Sequence, residues 1–157
     1  MTVSPRPVVN AFDVELETDA VDPPGFHVRY RRLGPPLEAG ALLGATVYEL
    51  DPGQRNCPYH FEIGNEECLL VLAGTPTLRH PSGRDELAAG DLVAFADGET
   101  GAHQVINESS EPTRFLILST MQEPSACGYP DSHKVATPGG VFRLADGVDY
   151  WDGESAG

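Results

Sequence analysis

Four side chains in this sequence could do chemistry together. His60, Glu62 and Glu67 fall within "PYHFEIGNEECLLVLAG" (58–74), and His103 lies in "GAHQVIN" (101–107). On extended backbone, alternate residues share a face. His60 and Glu62 therefore project to one side. Glu67 shares its face with Leu69 and Val71, and His103 with Val105 and Asn107. A carboxylate among branched apolar residues sits either at a wet strand end or buried with a partner, because an unpaired buried charge is prohibitive. Two imidazoles and two carboxylates form a borderline donor set, suited to a divalent Mn, Fe, Co, Ni or Zn ion. Singly, each residue has an ordinary account. His60 beside Tyr59 could be hydrogen-bonded or exposed, and Glu66-Glu67 could be a solvated strand end. On these faces the four could converge inside one small barrel, and a metal site needs at least His60, Glu67 and His103.

The surrounding pattern supplies such a barrel. Short apolar runs alternate with turns such as Asp51-Pro52-Gly53, Pro81-Ser82-Gly83 and Pro138-Gly139-Gly140. This is the signature of an all-β sandwich or barrel. No window has sustained helical periodicity, so helices should be few and short. Strands are expected at 8–16, 26–33, 41–50, 58–63, 67–74, 75–80 and 113–120, with others in 85–95 and 101–107. A hairpin turn is expected at 81–84 and a loop at 33–40. Residues 1–40 read as an N-terminal arm, 41–120 as the barrel, and 121–157 as an irregular tail packing on it.

Composition narrows the partners. The 157 residues suit a single domain, and 40% are hydrophobic, enough for a core. Formal net charge is −14, from 24 acidic and 10 basic residues. That surface repels nucleic acid and anionic membranes. No apolar run is long enough to span a bilayer. The N-terminal stretch lacks a charged start followed by an apolar run, so a secretory signal is not expected. Cys57, Cys68 and Cys127 are odd in number and lack metal-like spacing. The expectation is a cytoplasmic protein with free thiols.

The order of these residues resembles the two motifs of the cupin superfamily. Gly53, His60, Glu67 and Gly74 take the places of the first motif. Four residues separate position 62 from Glu67 and six separate Glu67 from Gly74, as that motif requires. Gly90, Gly98, His103 and Asn107 match the second, with three residues between His103 and Asn107. The likeness covers roughly 41–120. The short step from Gly74 to Gly90 is similar to that of small single-domain bacterial cupins. It implies an antiparallel jelly-roll β-barrel holding a metal ion. There are departures: Glu62 stands where the first motif has its second histidine, and Ala96 where the second has proline. Two turns are also longer, which is cheap.

Glu62 is the departure with chemical consequences. Cupins typically use three histidines and one glutamate, whereas this chain offers two of each. A second carboxylate brings a divalent site to formal neutrality. It then attracts anions less, acidifies bound water less, and favours harder ions. Alternatively Glu62 hydrogen-bonds a ligand histidine or acts as a general base. The resemblance implies either a metalloenzyme acting on a small polar metabolite, of isomerase, dioxygenase or decarboxylase type, or a non-catalytic sugar- or metabolite-binding barrel. A homodimer is expected through the N-terminal strands. His27, His80 and His133 fall outside the motifs and should be exposed or hydrogen-bonded. Cys68 should pack. Tyr129, Asp131 and Lys134 are weaker candidates to cap the pocket, and Trp151 is expected to pack the tail.

Overall fold

The computed structural model describes residues 8–18, 23–33 and 42–155. Its strands are antiparallel throughout and form three sheets. The largest contains β1 (Glu17–Thr18), β2 (Arg29–Arg32), β3 (Leu43–Leu50), β10 (Thr113–Thr120), β5 (Glu67–Ala73) and β8 (Leu92–Phe95), in that spatial order. A second runs β13 (Gly140–Arg143), β12 (Lys134–Thr137), β11 (Ala126–Tyr129), β4 (Phe61–Ile63). The third is β7 (Gly83–Glu86), β6 (Thr77–His80), β9 (Gln104–Ile106). An isolated bridge between His60 and His103 joins the flank of β4 to the flank of β9. The two smaller sheets thereby meet along a seam opposite the large one, giving an all-β jelly-roll whose sheets do not close completely.

β10, "TRFLILST", spans eight residues and alternates as a half-buried strand should. It pairs with β3 on one side and β5 on the other. Its Phe115 and Ile117 face inward with Leu50, Leu69, Val71, Leu78, Phe95 and Val105. Burying each such side chain contributes about 1.5–3 kcal/mol. Gly74 ends β5 at φ +78°, and a Cβ there would meet the Pro112 carbonyl at 2.7 Å, so only glycine fits this crossing. Asn107, fully buried, donates from its side-chain amide to the carbonyls of Leu50 and Glu111 and ties β9 to β3.

Several sequence expectations are corrected. Residues 8–16 form a turn and irregular chain, with only Glu17–Thr18 in a strand. Asn10 explains this: its side chain accepts from Phe12 N–H and its carbonyl from Asp13 and Val14, so local turn bonds replace a ladder. The expected arm strand at 26–33 contains β2, which pairs with β3 of its own chain. The expected hairpin turn at 81–84 is shorter, because β7 already begins at Gly83. Most of the loop expected at 33–40 lies outside the described residues. The tail is not irregular: 121–157 carries β11, β12 and β13. These strands have four residues each and are too short for alternation to register. Pairing holds β11, with Cys127 opposite Glu62 and Gly128 opposite Phe61. The Phe61 ring lies where a Cβ on residue 128 would fall, 2.3 Å away. Among the described residues helical structure is limited to 3₁₀ turns, and no helix is long and apolar enough to cross a membrane.

Candidate metal centre

His60 and His103 occupy equivalent places, each one step outside a short strand of a different sheet. Their backbones pair directly: His103 N–H donates to His60 carbonyl at 2.7 Å, and His60 N–H returns the bond at 3.2 Å. Both imidazoles consequently face the same way, with ring centres 4.7 Å apart. Glu67 approaches from the opposite wall as the first residue of β5. It lies in one inward row with Ser119 of β10 and Phe95 of β8. The Phe95 ring stacks flat on His103 at 3.7 Å and fixes its plane. Asn65 anchors the turn before β5, because its side-chain carbonyl accepts from Gln122 N–H and Thr120 hydroxyl.

The hydrogen bonds of the two histidines set their tautomers. His60 Nδ1–H donates to Pro58 carbonyl at 3.0 Å, and His103 Nδ1–H to Gly101 carbonyl at 2.9 Å. Each Nε2 then carries its lone pair toward the interior, the arrangement that outer-shell carbonyls impose on metal-binding imidazoles. His103 is 1% exposed, and its Nε2 has no hydrogen-bond partner. Glu67 Oε2 lies 3.2 Å from this nitrogen but off the direction a hydrogen bond needs. An orphaned buried acceptor is costly. A cation between Nε2 and the carboxylate satisfies both. Donor atoms of His60, Glu67 and His103 all lie within 4.8 Å of one another, a spacing one ion can bridge.

Glu62 sits on the other flank of His60, with Oε1 3.6 Å from His60 Nε2. It groups with His60 and Cys127 rather than with the trio. Burial, then the charge of Glu67, raises its carboxyl pKa, while a hydrogen bond with Cys127 opposes this. Burial pushes the Cys127 thiol up to about 12. Tyr129 hydrogen-bonds the same thiol, and its phenol is likewise raised, chiefly by burial. Burial, followed by His103, lowers the His60 pKa, so the imidazole is neutral and available as a donor. Cys57 approaches His60 Nδ1 from behind at 3.4 Å.

Three of the four residues singled out in the sequence thus converge as one trio, and the fourth adjoins it. His27 and His133 are exposed, and His80 faces Asp85 and Ser82 away from the site. Asp131 engages Arg79, and Lys134 lies over the Tyr129 ring. Trp151 is 71% exposed and touches Tyr150 edge-on, rather than packing the tail. Cys127 is the site residue sequence reasoning missed. Four residues, "ACGY", give no alternation to read, and only the pairing of β11 with β4 sets Cys127 opposite Glu62.

Residues 46–119 match the family model described as the cupin domain. Over those residues the chain is a cupin domain. No curated protein sequence matches it. Among solved structures, a protein proposed to be a sugar phosphate isomerase, from Acidithiobacillus ferrooxidans, is 26% identical. It covers 80% of this chain and 82% of its own, with a TM-score of 0.71. A cupin-superfamily sugar phosphate isomerase from Silicibacter pomeroyi is 23% identical over 93% of this cupin and 98% of its own chain, TM-score 0.74. The polyketide cyclase of Streptomyces resistomycificus is 24% identical over 76% and 82%, TM-score 0.58. At these identities the last two establish fold alone.

Proposed function

We propose that this cupin is a metal-dependent enzyme acting on a small polar metabolite inside its barrel. The observation that carries the reading is the buried trio with fixed tautomers: His60 and His103 offer Nε2 lone pairs, Glu67 supplies charge, and His103 Nε2 has no other partner. His60, Glu67 and His103 hold the ion, and Glu62 completes the set as fourth ligand. When bound, a divalent ion supplies Lewis-acid polarisation of a substrate oxygen. Phe95 keeps the His103 ring in plane and excludes water from that side. Cys127 hydrogen-bonds Glu62 and orients its carboxylate. Two imidazoles with two carboxylates favour Mn or Fe, while Co, Ni and Zn remain within the range of this donor set. Likeness to the Acidithiobacillus ferrooxidans structure, described as that of a proposed isomerase, supports an enzyme in preference to a passive barrel.

Elemental analysis after reconstitution with Mn²⁺, Fe²⁺ and Zn²⁺ in separate samples tests this. One ion per chain is expected. Sub-stoichiometric content with every ion removes the proposal. The same reading includes a homodimer, supported by the two-residue β1 at the sheet edge and by the exposed Val141, Leu144 and Trp151 of the tail. Light scattering should give about twice 16.8 kDa.

A further inference from the structure

The large sheet presents an inner face whose rows run straight across its strands. One row is Tyr30, Tyr48, Phe115, Val71; the next is Arg32, Thr46, Ile117, Leu69; the third is Gly44, Ser119, Glu67, Phe95. Core membership of Phe115, Ile117, Val71 and Leu69 identifies this face as the interior. Arg32 therefore belongs to the barrel side of β2, one row from Glu67. Arg29 and Arg31 alternate to the outside, where they hold Glu49, Asp51 and Glu17. Three strand spacings, roughly 14 Å along the sheet, separate the Arg32 and Leu69 backbones.

A cavity of about 400 Å³ opens at this end of the barrel. Its wall includes Phe26, Tyr30, Tyr48 and Pro58, with Arg32 at one side and Cys57 at another. The Cys57 sulfur stands 3.4 Å from His60 Nδ1, so this one side chain separates the cavity from the back of the His60 ring. The Tyr48 ring stacks on Phe115 at 5.5 Å and lies 6.5 Å from Tyr30. Tyr48 and Tyr30, tilted 42° to each other, make an aromatic wall that Phe115 backs from the core. The volume suits a single-ring ligand.

Most of the surface of this wall is apolar, from Pro23, Phe26, Val28, Pro58 and the Tyr30 and Tyr48 rings. Asn56 lines it, but its side-chain carbonyl already accepts from Val105 N–H. A ligand with many hydroxyls would leave most of them unpaired, at a cost of about 1–3 kcal/mol each. Among the described residues Arg32 makes no ion pair, and its guanidinium lies 5.3 Å from the Tyr30 ring centre. In a chain of net charge −14, a cation on the inner face at the barrel mouth selects an anionic group. Tyr30, Tyr48 and Phe26 select a planar apolar body.

We propose that the cavity takes an aromatic carboxylate, with its acid group on Arg32, its ring against Tyr48, and its far substituent directed toward His60 and Glu67. The class is polar at both ends and flat between them, unlike a sugar phosphate. The inference rests on the metal reading only for the direction of the far substituent.

Isothermal titration of the full chain, metal-reconstituted and stripped, tests it with four probes: 4-hydroxybenzoate, 4-hydroxybenzamide, 4-hydroxycyclohexanecarboxylate and glucose 6-phosphate. Arg32 is exposed, so Arg32→Gln should leave folding intact. Wild type should bind 4-hydroxybenzoate about 10-fold to 100-fold more tightly than the amide, the range for a charge-assisted hydrogen bond. Arg32→Gln should erase that preference. Tighter binding of glucose 6-phosphate, equal binding of the saturated acid, or no loss in Arg32→Gln overturns the proposal. Absence of 4-hydroxybenzoate binding to protein shown to carry its metal also overturns it. Arg32-dependent binding in a chain that never takes up metal would support this inference while rejecting the metal reading.

Discussion

His60 is shared by two unlike neighbourhoods. Toward His103 and Glu67 the site is dry, stacked and backbone-fixed: His103 is 1% exposed and its ring is clamped by Phe95. Toward Glu62 and Cys127 it is wetter and softer, with the Glu62 side chain 23% exposed and hydrogen-bonded to a thiol. The first flank is built by the seam between two sheets and the opposite wall of the barrel. The second is built by β4 and a tail strand. A rigid flank can hold an ion and an adjustable one can tune it. The two should respond differently to mutation.

The largest effect should come from the rigid flank. His103→Ala removes a donor that nothing nearby replaces. Metal affinity should fall by more than about 100-fold, beyond the range found for partners outside the ligand set. Competition with a chromophoric chelator measures it. Affinity retained within tenfold would mean that the two flanks are not distinct and that the ion, if present, lies with Glu62 and Cys127.

The same division shows what the sequence could reveal. Glu67 opens the seven-residue β5, whereas His60 and His103 flank strands of three residues; all three are marked by their spacing to Gly53, Gly74, Gly90 and Gly98, which is set by turns that need positive φ. Local chemistry fixed those positions, so the barrel and the trio were readable. Cys127 was not. β11 exists because β4 offers it an edge and Phe61 needs the space above Gly128, and neither condition is local. The failed strand at 8–16 is the converse. Its alternation was present, but the turn bonds of Asn10 took the backbone groups a ladder would have used. Arg32 became meaningful only once its register with Thr46 showed which way it faces.

On the adjustable flank, Glu62→His restores imidazole where cupins typically have it. If Glu62 is a ligand, the preference for Zn²⁺ and Ni²⁺ over Mn²⁺ should rise by about tenfold, because imidazole suits those ions better than carboxylate. Glu62→Gln serves as the comparison. An unchanged Zn/Mn ratio in both variants would remove Glu62 from the ligand set and leave it as a base or bystander.

The titration of the metal-stripped protein gives a smaller, signed effect. Burial and His103 hold the His60 imidazole below its usual 6.5. The folded pKa is depressed, so the unfolded chain binds the proton first as pH falls. His60 therefore contributes stability in full above about pH 6.5 and loses it below. Glu62 runs the other way: its carboxyl is raised above the usual 4.5 by burial and Glu67, so ionising it opposes folding as pH climbs through that range. Thermal denaturation at about pH 7.5 and 5.5 should show a drop in wild-type Tm that His60→Gln reduces. Parallel profiles would show that His60 is not the group responsible.

The smallest expected effect decides what the soft flank is for. Burial keeps the Cys127 thiol protonated, with its pKa pushed up to about 12, and it shares a hydrogen bond with Glu62. A protonated thiol is a poor metal ligand but a usable donor to a carboxylate. Serine preserves that donor, so Cys127→Ser should change Mn²⁺ affinity by less than about tenfold, the lower end of the range for outer-shell partners. Cobalt supplies an independent readout, since thiolate ligation gives Co²⁺ an intense near-ultraviolet charge-transfer band. With Glu62 as ligand and Cys127 as its support, the Co²⁺-loaded wild type should lack that band. Its presence in wild type and loss in Cys127→Ser would reverse the roles, making the tail strand a direct contributor to the metal centre and Glu62 its neighbour.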